Sequence, residues 1–209
     1  MKRLLFLLAT AGAAASANAH QIWLEQPDGG SAVIRFGEFG DNLRAPTATL
    51  VAAKGERNVQ ATKSANGFTL PFKAPQGDTI VAEDAAFPLR RYKQGEKEVT
   101  SWYHPAARYA SAFDALKPSL ALDIVPAGKP GEFKVFFKGQ PLHKAKVAIV
   151  VQSDWTKEAR SDEQGTVSFD MPWKGSYVLE TAHIDRTPGE RAGAKGLETA
   201  STMSPRCTS

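Results

Sequence analysis

The residues of this chain best suited to chemistry are its four histidines. One of them, His20, directly follows the small-x-small tripeptide Ala17-Asn18-Ala19. Cleavage after Ala19 leaves His20 with a free α-amine. That amine and the ring Nδ1 can chelate one metal ion, and a second imidazole supplied by the fold completes a T-shaped set of three nitrogens. Such a histidine brace suits copper(II) or nickel(II), which favour tetragonal nitrogen coordination. The amine must lose its proton to bind. Its free pKa is about 7.7–8.0, so binding strengthens as pH rises.

The second imidazole has three sources. His183 stands in Ala182-His183-Ile184-Asp185, at the end of an expected strand. Alternation along that strand puts His183 and Asp185 on one side of the chain. Asp185 is then a further ligand, or it orients the His183 ring from outside the coordination sphere. The structural alternative is a His183 that only hydrogen-bonds locally at a strand end. His104 lies between Trp102-Tyr103 and Pro105 and reads as part of an aromatic loop between lobes. His143, in Gln140-Pro141-Leu142-His143-Lys144, reads as a solvated turn residue. Glu38 and Asp41 read as a Gly-rich surface turn, and Trp23 as a packing residue.

Other chemistries find little support. The chain has no G-x-S-x-G elbow, no G-x-x-x-x-G-K loop and no H-E-x-x-H helix motif. The acid pair Asp162-Glu163 falls in a turn. Cys207, the single cysteine, cannot close an internal disulfide and sits in an expected frayed tail. The formal charge of +4 includes Lys2 and Arg3, so it falls to +2 without them. There is no dense Lys/Arg tract with interleaved aromatics, and a nucleic-acid partner is not expected.

The segment before His20 reads as a removed export signal, residues 1–19. Lys2 and Arg3 give a positive start, Leu4 to Leu8 an apolar core, and an alanine-rich stretch follows. That core is shorter than the roughly 20 residues a bilayer span needs, and no later stretch qualifies. A bacterial periplasm is the expected destination.

The elements that must position these histidines are strands. Short β-prone runs occur at 31–36, 47–52, 79–83, 133–138 and 177–182, bounded by Gly, Pro, Asp or Asn. Val147, Ile149 and Val151 recur with period two, as do Val167, Phe169 and Met171. No helical apolar stripe exceeds about three turns. The segment 104–115 reads as a short helix or an irregular crossover. The expected fold is all-β, with two β-sandwich-like lobes. Residues 20–116 form the first lobe. Residues 117–186 form an immunoglobulin- or transthyretin-like sandwich, with the break at Lys117-Pro118-Ser119. Residues 187–209 read as a loop and weakly ordered tail, with one weak strand near 198–203.

Several stretches resemble a known family. They are Ala19-His20-Gln21-Ile22-Trp23-Leu24, Ala107-Arg108-Tyr109-Ala110, Leu122-Asp123-Ile124-Val125-Pro126 with Phe137-Lys138-Gly139-Gln140-Pro141-Leu142, and the run from Thr181 to Glu190. Asp162-Glu163-Gln164-Gly165 and Trp173-Lys174-Gly175-Ser176-Tyr177 fit between them. In order and spacing, this set is similar to a periplasmic family of unknown function associated with nickel uptake (NikM-like). The resemblance implies two β-sandwich-like lobes and a role linked to transition metals in the envelope. It points to His20, His183 and Asp185; Arg108 and Tyr109 also match, and they read as structural residues. Members usually end on an apolar strand, whereas Thr199 to Met203 is only weakly apolar here.

The expectation is therefore a non-enzymatic periplasmic protein that takes a copper or nickel ion on His20 and His183, with Asp185 beside them. Its partner would be a metal transporter or another envelope protein. Two alternatives stand: a structural β-sandwich adaptor of an envelope or transporter complex, and an oxidative enzyme built on the same brace.

Overall fold

The structure is a computed structural model that describes residues 22–36, 47–52, 55–64, 67–84, 89–151, 155–186 and 197–207; for 47–52, 55–57, 94 and 197–207 it describes the backbone alone. Among the described residues every regular element is a strand. The first half holds β1 (Ile22–Glu25), β2 (Val33–Phe36), β3 (Thr47–Ala52), β4 (Gly55–Val59), β5 (Thr62–Ser64), β6 (Gly67–Thr69), β7 (Thr79–Glu83), β8 (Leu89–Gln94) and β9 (Lys97–Ala110). The second holds β10 (Leu122–Pro126), β11 (Glu132–Phe137), β12 (Gln140–Pro141), β13 (Lys146–Val151), β14 (Thr156–Arg160), β15 (Thr166–Ser168), β16 (Gly175–Asp185) and β17 (Leu197–Cys207). The all-β expectation holds. No helix among the described residues is long and apolar enough to cross a membrane.

One large sheet runs β14-β13-β16-β17-β9-β7-β3-β4, with β8 added beside β9. Two small sheets cover it, β1-β2-β6-β5 and β10-β11-β12 with β15. Alternation along the strands sorts the core. Ile22, Leu24, Ile34, Phe68 and Leu70 pack on Ile80, Ala82, Ala107 and Tyr109. Leu122, Ile124, Phe133 and Val135 pack on Val147, Ile149, Tyr177 and Leu179. Each buried valine, leucine, isoleucine or phenylalanine among them contributes about 1.5–3 kcal/mol.

The two small sheets lie on opposite faces of the large one. Leu179 is in register with Met203, and Met203 with Arg108. Leu179 therefore shares a face with Arg108, while Ala107 and Tyr109, one residue out of step, occupy the other. The central strand is β17, antiparallel to β16 and parallel to β9. It extends well beyond the weak strand expected at 198–203 and is paired on both sides.

The segment 104–115 differs from the expected helix or crossover, because β9 continues through it to Ala110. Pro105 misleads the sequence reading, since proline is rare in central strands. Here it falls in the gap between two partners. β8 pairs only as far as Trp102 and β7 pairs only from Ala106 onward, so Pro105 falls outside both ladders. Its carbonyl accepts from the Asp84 N–H at 3.0 Å.

The stretch between β9 and β10 carries no strand and is pinned by a buried ion pair. Arg108 Nε and Nη2 donate to Asp123 Oδ1 and Oδ2 at 2.9 and 2.6 Å. Arg108 also donates to Thr79 Oγ1 and Ser119 Oγ, and Asp123 Oδ2 accepts from the backbone N–H groups of Ser119 and Leu120. This fits the structural role expected of Arg108.

Candidate metal-handling site

His183 and Asp185 lie near the end of β16, past the point where β13 stops pairing at Thr181. They point to the same face, as alternation requires, and residues of the β11–β12 turn meet both. That turn is Lys138-Gly139, with φ of +49° and +76°, between the paired residues Phe137 and Gln140. Two consecutive left-handed residues are the mark of a tight hairpin turn matched to strand twist.

The turn delivers two side chains. The Phe137 ring lies 4.4 Å from the His183 ring, tilted by 52°. Lys138 Nζ sits 2.6 Å from Asp185 Oδ2 and 5.1 Å from the Phe137 ring centre. Asp185 thus has a cation from within the chain. Burial holds the His183 imidazole below its usual pKa of 6.5; Asp185 raises it and Lys138 lowers it further. The ring is accordingly biased toward the neutral form that binds metals.

A second cluster lies across β17. His183 is in register with Thr199, and Thr199 with His104, so both histidines occupy one face with one strand between them. Strand spacing of about 4.8 Å puts their backbones roughly 10 Å apart. The His104 ring stacks on Trp102, with centres 4.7 Å apart and planes within 9°. Its Nε2 lies 3.4 Å from Glu83 Oε2, on the side away from His183. The neighbouring His104 imidazole holds the Glu83 carboxyl below its usual value, against the opposite pull of burial. The loop reading of Trp102 to Pro105 hid this cluster; period-two alternation was the signal for it.

His20, Glu38 and Asp41 lie outside the described residues, as do residues 1–19. The strand that follows His20 is placed. Ile22 and Leu24 of β1 pack with Ala107 and Tyr109, on the face opposite His183. β1 also lies against β17. His183 is two residues inside the end of β16, and its partner Thr199 two residues inside the start of β17. His143 is exposed in the turn between β12 and β13. Trp23 donates its indole N–H to Glu25 Oε1 at 2.8 Å and is half-buried, on the side of β1 away from the buried Ile22 and Leu24, not in the core expected for it. Among the described residues no three His, Cys, Asp or Glu side chains gather closely enough to hold a metal by themselves. The described donors are one imidazole and one carboxylate.

The domain of unknown function DUF4198 matches residues 17–185, and the chain belongs to that family. No curated protein matches it.

Proposed function

We propose that this DUF4198 member is an exported periplasmic protein that binds a copper or nickel ion for uptake or handling, without catalysing a reaction. The α-amine and imidazole of His20 supply two nitrogens and His183 the third. The observation that carries the reading is that the tripeptide Ala17-Asn18-Ala19 ends immediately before a histidine. The described part of the site supports it with a His183 imidazole biased toward its neutral form and a carboxylate beside it. The nitrogen-rich set favours copper. The NikM-like resemblance favours nickel.

The placement of β1 sets a condition. The amine must reach the face opposite to the one on which Ile22 and Leu24 pack. The experiment is a Cu(II) and Ni(II) titration of the chain beginning at His20, beside a chain with one extra residue ahead of His20. The extension turns the α-amine into an amide, so affinity should fall by tenfold or more, an order-of-magnitude expectation for losing one ligand. Equal affinities would remove the brace.

A specific feature favours a second reading, the structural adaptor. β8 and the first half of β9 form a two-stranded ribbon beside the large sheet, with Arg90, Arg91, Tyr92, Lys93 and Lys97 exposed. If neither metal binds, this ribbon is the surface to test against envelope partners.

A further inference from the structure

We infer that Lys138 is a built-in stand-in cation, which neutralises Asp185 while the site is empty and must leave when a metal ion enters. The inference rests on the metal-binding reading above and adds a regulation to that site. Its basis is geometric. Asp185 is only 9% exposed on its side chain, and a carboxylate so placed is strongly disfavoured without a partner. Lys138 supplies a partner at 2.6 Å, yet its own side chain remains 56% exposed.

The asymmetry gives the pair a direction. Asp185 is fixed in β16, in register with Leu197 of β17. Lys138 sits on a tight turn, at a left-handed position that fixes its backbone. Its four-carbon stem can swing the ammonium into water without moving that backbone. The same ammonium lies over Phe137, whose ring contacts His183. Lysine, imidazole and carboxylate therefore share one small volume. A divalent ion on His183 next to Asp185 would meet the ammonium as a like charge at close range. Metal and Lys138 then compete for one carboxylate, and the ion pair lowers affinity for weakly held cations.

The test is a Cu(II) titration of the chain beginning at His20, in three forms: unaltered, Lys138→Gln and Lys138→Arg. The turn is solvent-facing, so both variants should fold; far-UV spectra and unfolding of the metal-free forms check this. Lys138→Gln should bind Cu(II) about threefold or more tightly, the scale of a partly exposed ion pair no longer in competition. Lys138→Arg keeps the charge and should match the unaltered chain. An unaltered chain that binds Cu(II) while Lys138→Gln binds equally or less well overturns the stand-in role alone. An unaltered chain that binds neither Cu(II) nor Ni(II) overturns the functional reading, and the stand-in role with it.

Discussion

Arg108 and Asp123 meet inside the protein as a two-pronged ion pair, at 2.9 and 2.6 Å, with 1% and 0% of their residue surfaces exposed. The pair ties β9 of the large sheet to β10 of a small one. Every charged group has partners: Asp123 also accepts two backbone N–H groups, and Arg108 also reaches two hydroxyls.

Removing one member should be costly. Asp123→Asn or Arg108→Met leaves a buried charge uncompensated, which costs about 3–5 kcal/mol. Denaturant unfolding of the metal-free protein reads this directly. Replacing both members by apolar residues should recover part of the loss. A single substitution costing under about 1 kcal/mol would show that the pair is not sealed from water.

Two glycines should separate backbone strain from crowding. Gly139 has φ +76° with open space around its missing Cβ, and Gly131 has φ +78° with the Phe169 carbonyl in the way. Gly139→Ala should cost about 1–2 kcal/mol for the left-handed backbone alone. Gly131→Ala should cost about 1–3 kcal/mol more, because an added methyl collides with the Phe169 backbone carbonyl just past β15. Equal losses in thermal unfolding would remove the crowding argument.

His183 should make stability depend on pH in a stated direction. Its folded pKa lies below the ordinary 6.5, so the unfolded chain binds the proton more readily. The contribution is fully present above pH 6.5 and is lost as pH falls through 6.5 toward the lower folded value. In metal-free protein, His183→Gln should flatten the fall in melting temperature between about pH 7 and 5. An unchanged slope would mean that the ring is as well solvated folded as unfolded.

The last strand should be essential to the large sheet. Deleting residues 197–209 removes β17, which pairs with β16 and β9 along its length. Two inner strands then become open edges, which promote self-association. The truncated chain should unfold at markedly lower denaturant and aggregate in sedimentation. A monomer of unchanged stability would show that β16 and β9 hold together without it.

Much of the fold was legible one strand at a time. The runs at 47–52 and 79–83 coincide with β3 and β7, and the alternating Val147, Ile149 and Val151 lie in β13. These signals are local, since a strand with one buried face must alternate. β9 was not among the expected strands, and its course through Pro105 depends on where the pairing of β8 ends and that of β7 begins. β17 was underread for the same kind of reason. Its weak apolar pattern matters little when backbone pairing on both sides places it.

The site divides in the same way. The sequence by itself determined the shared side of His183 and Asp185, because alternation acts over a few residues, and it is the sole basis for proposing an amine at His20. Only the tertiary structure decided that Lys138 answers Asp185, that Phe137 packs on His183, and that His104 stands across β17 on the same face. It also decided that β1 lies on the opposite face from His183. Those relationships join residues far apart in the chain, and they follow from sheet order and register, which local pattern does not encode.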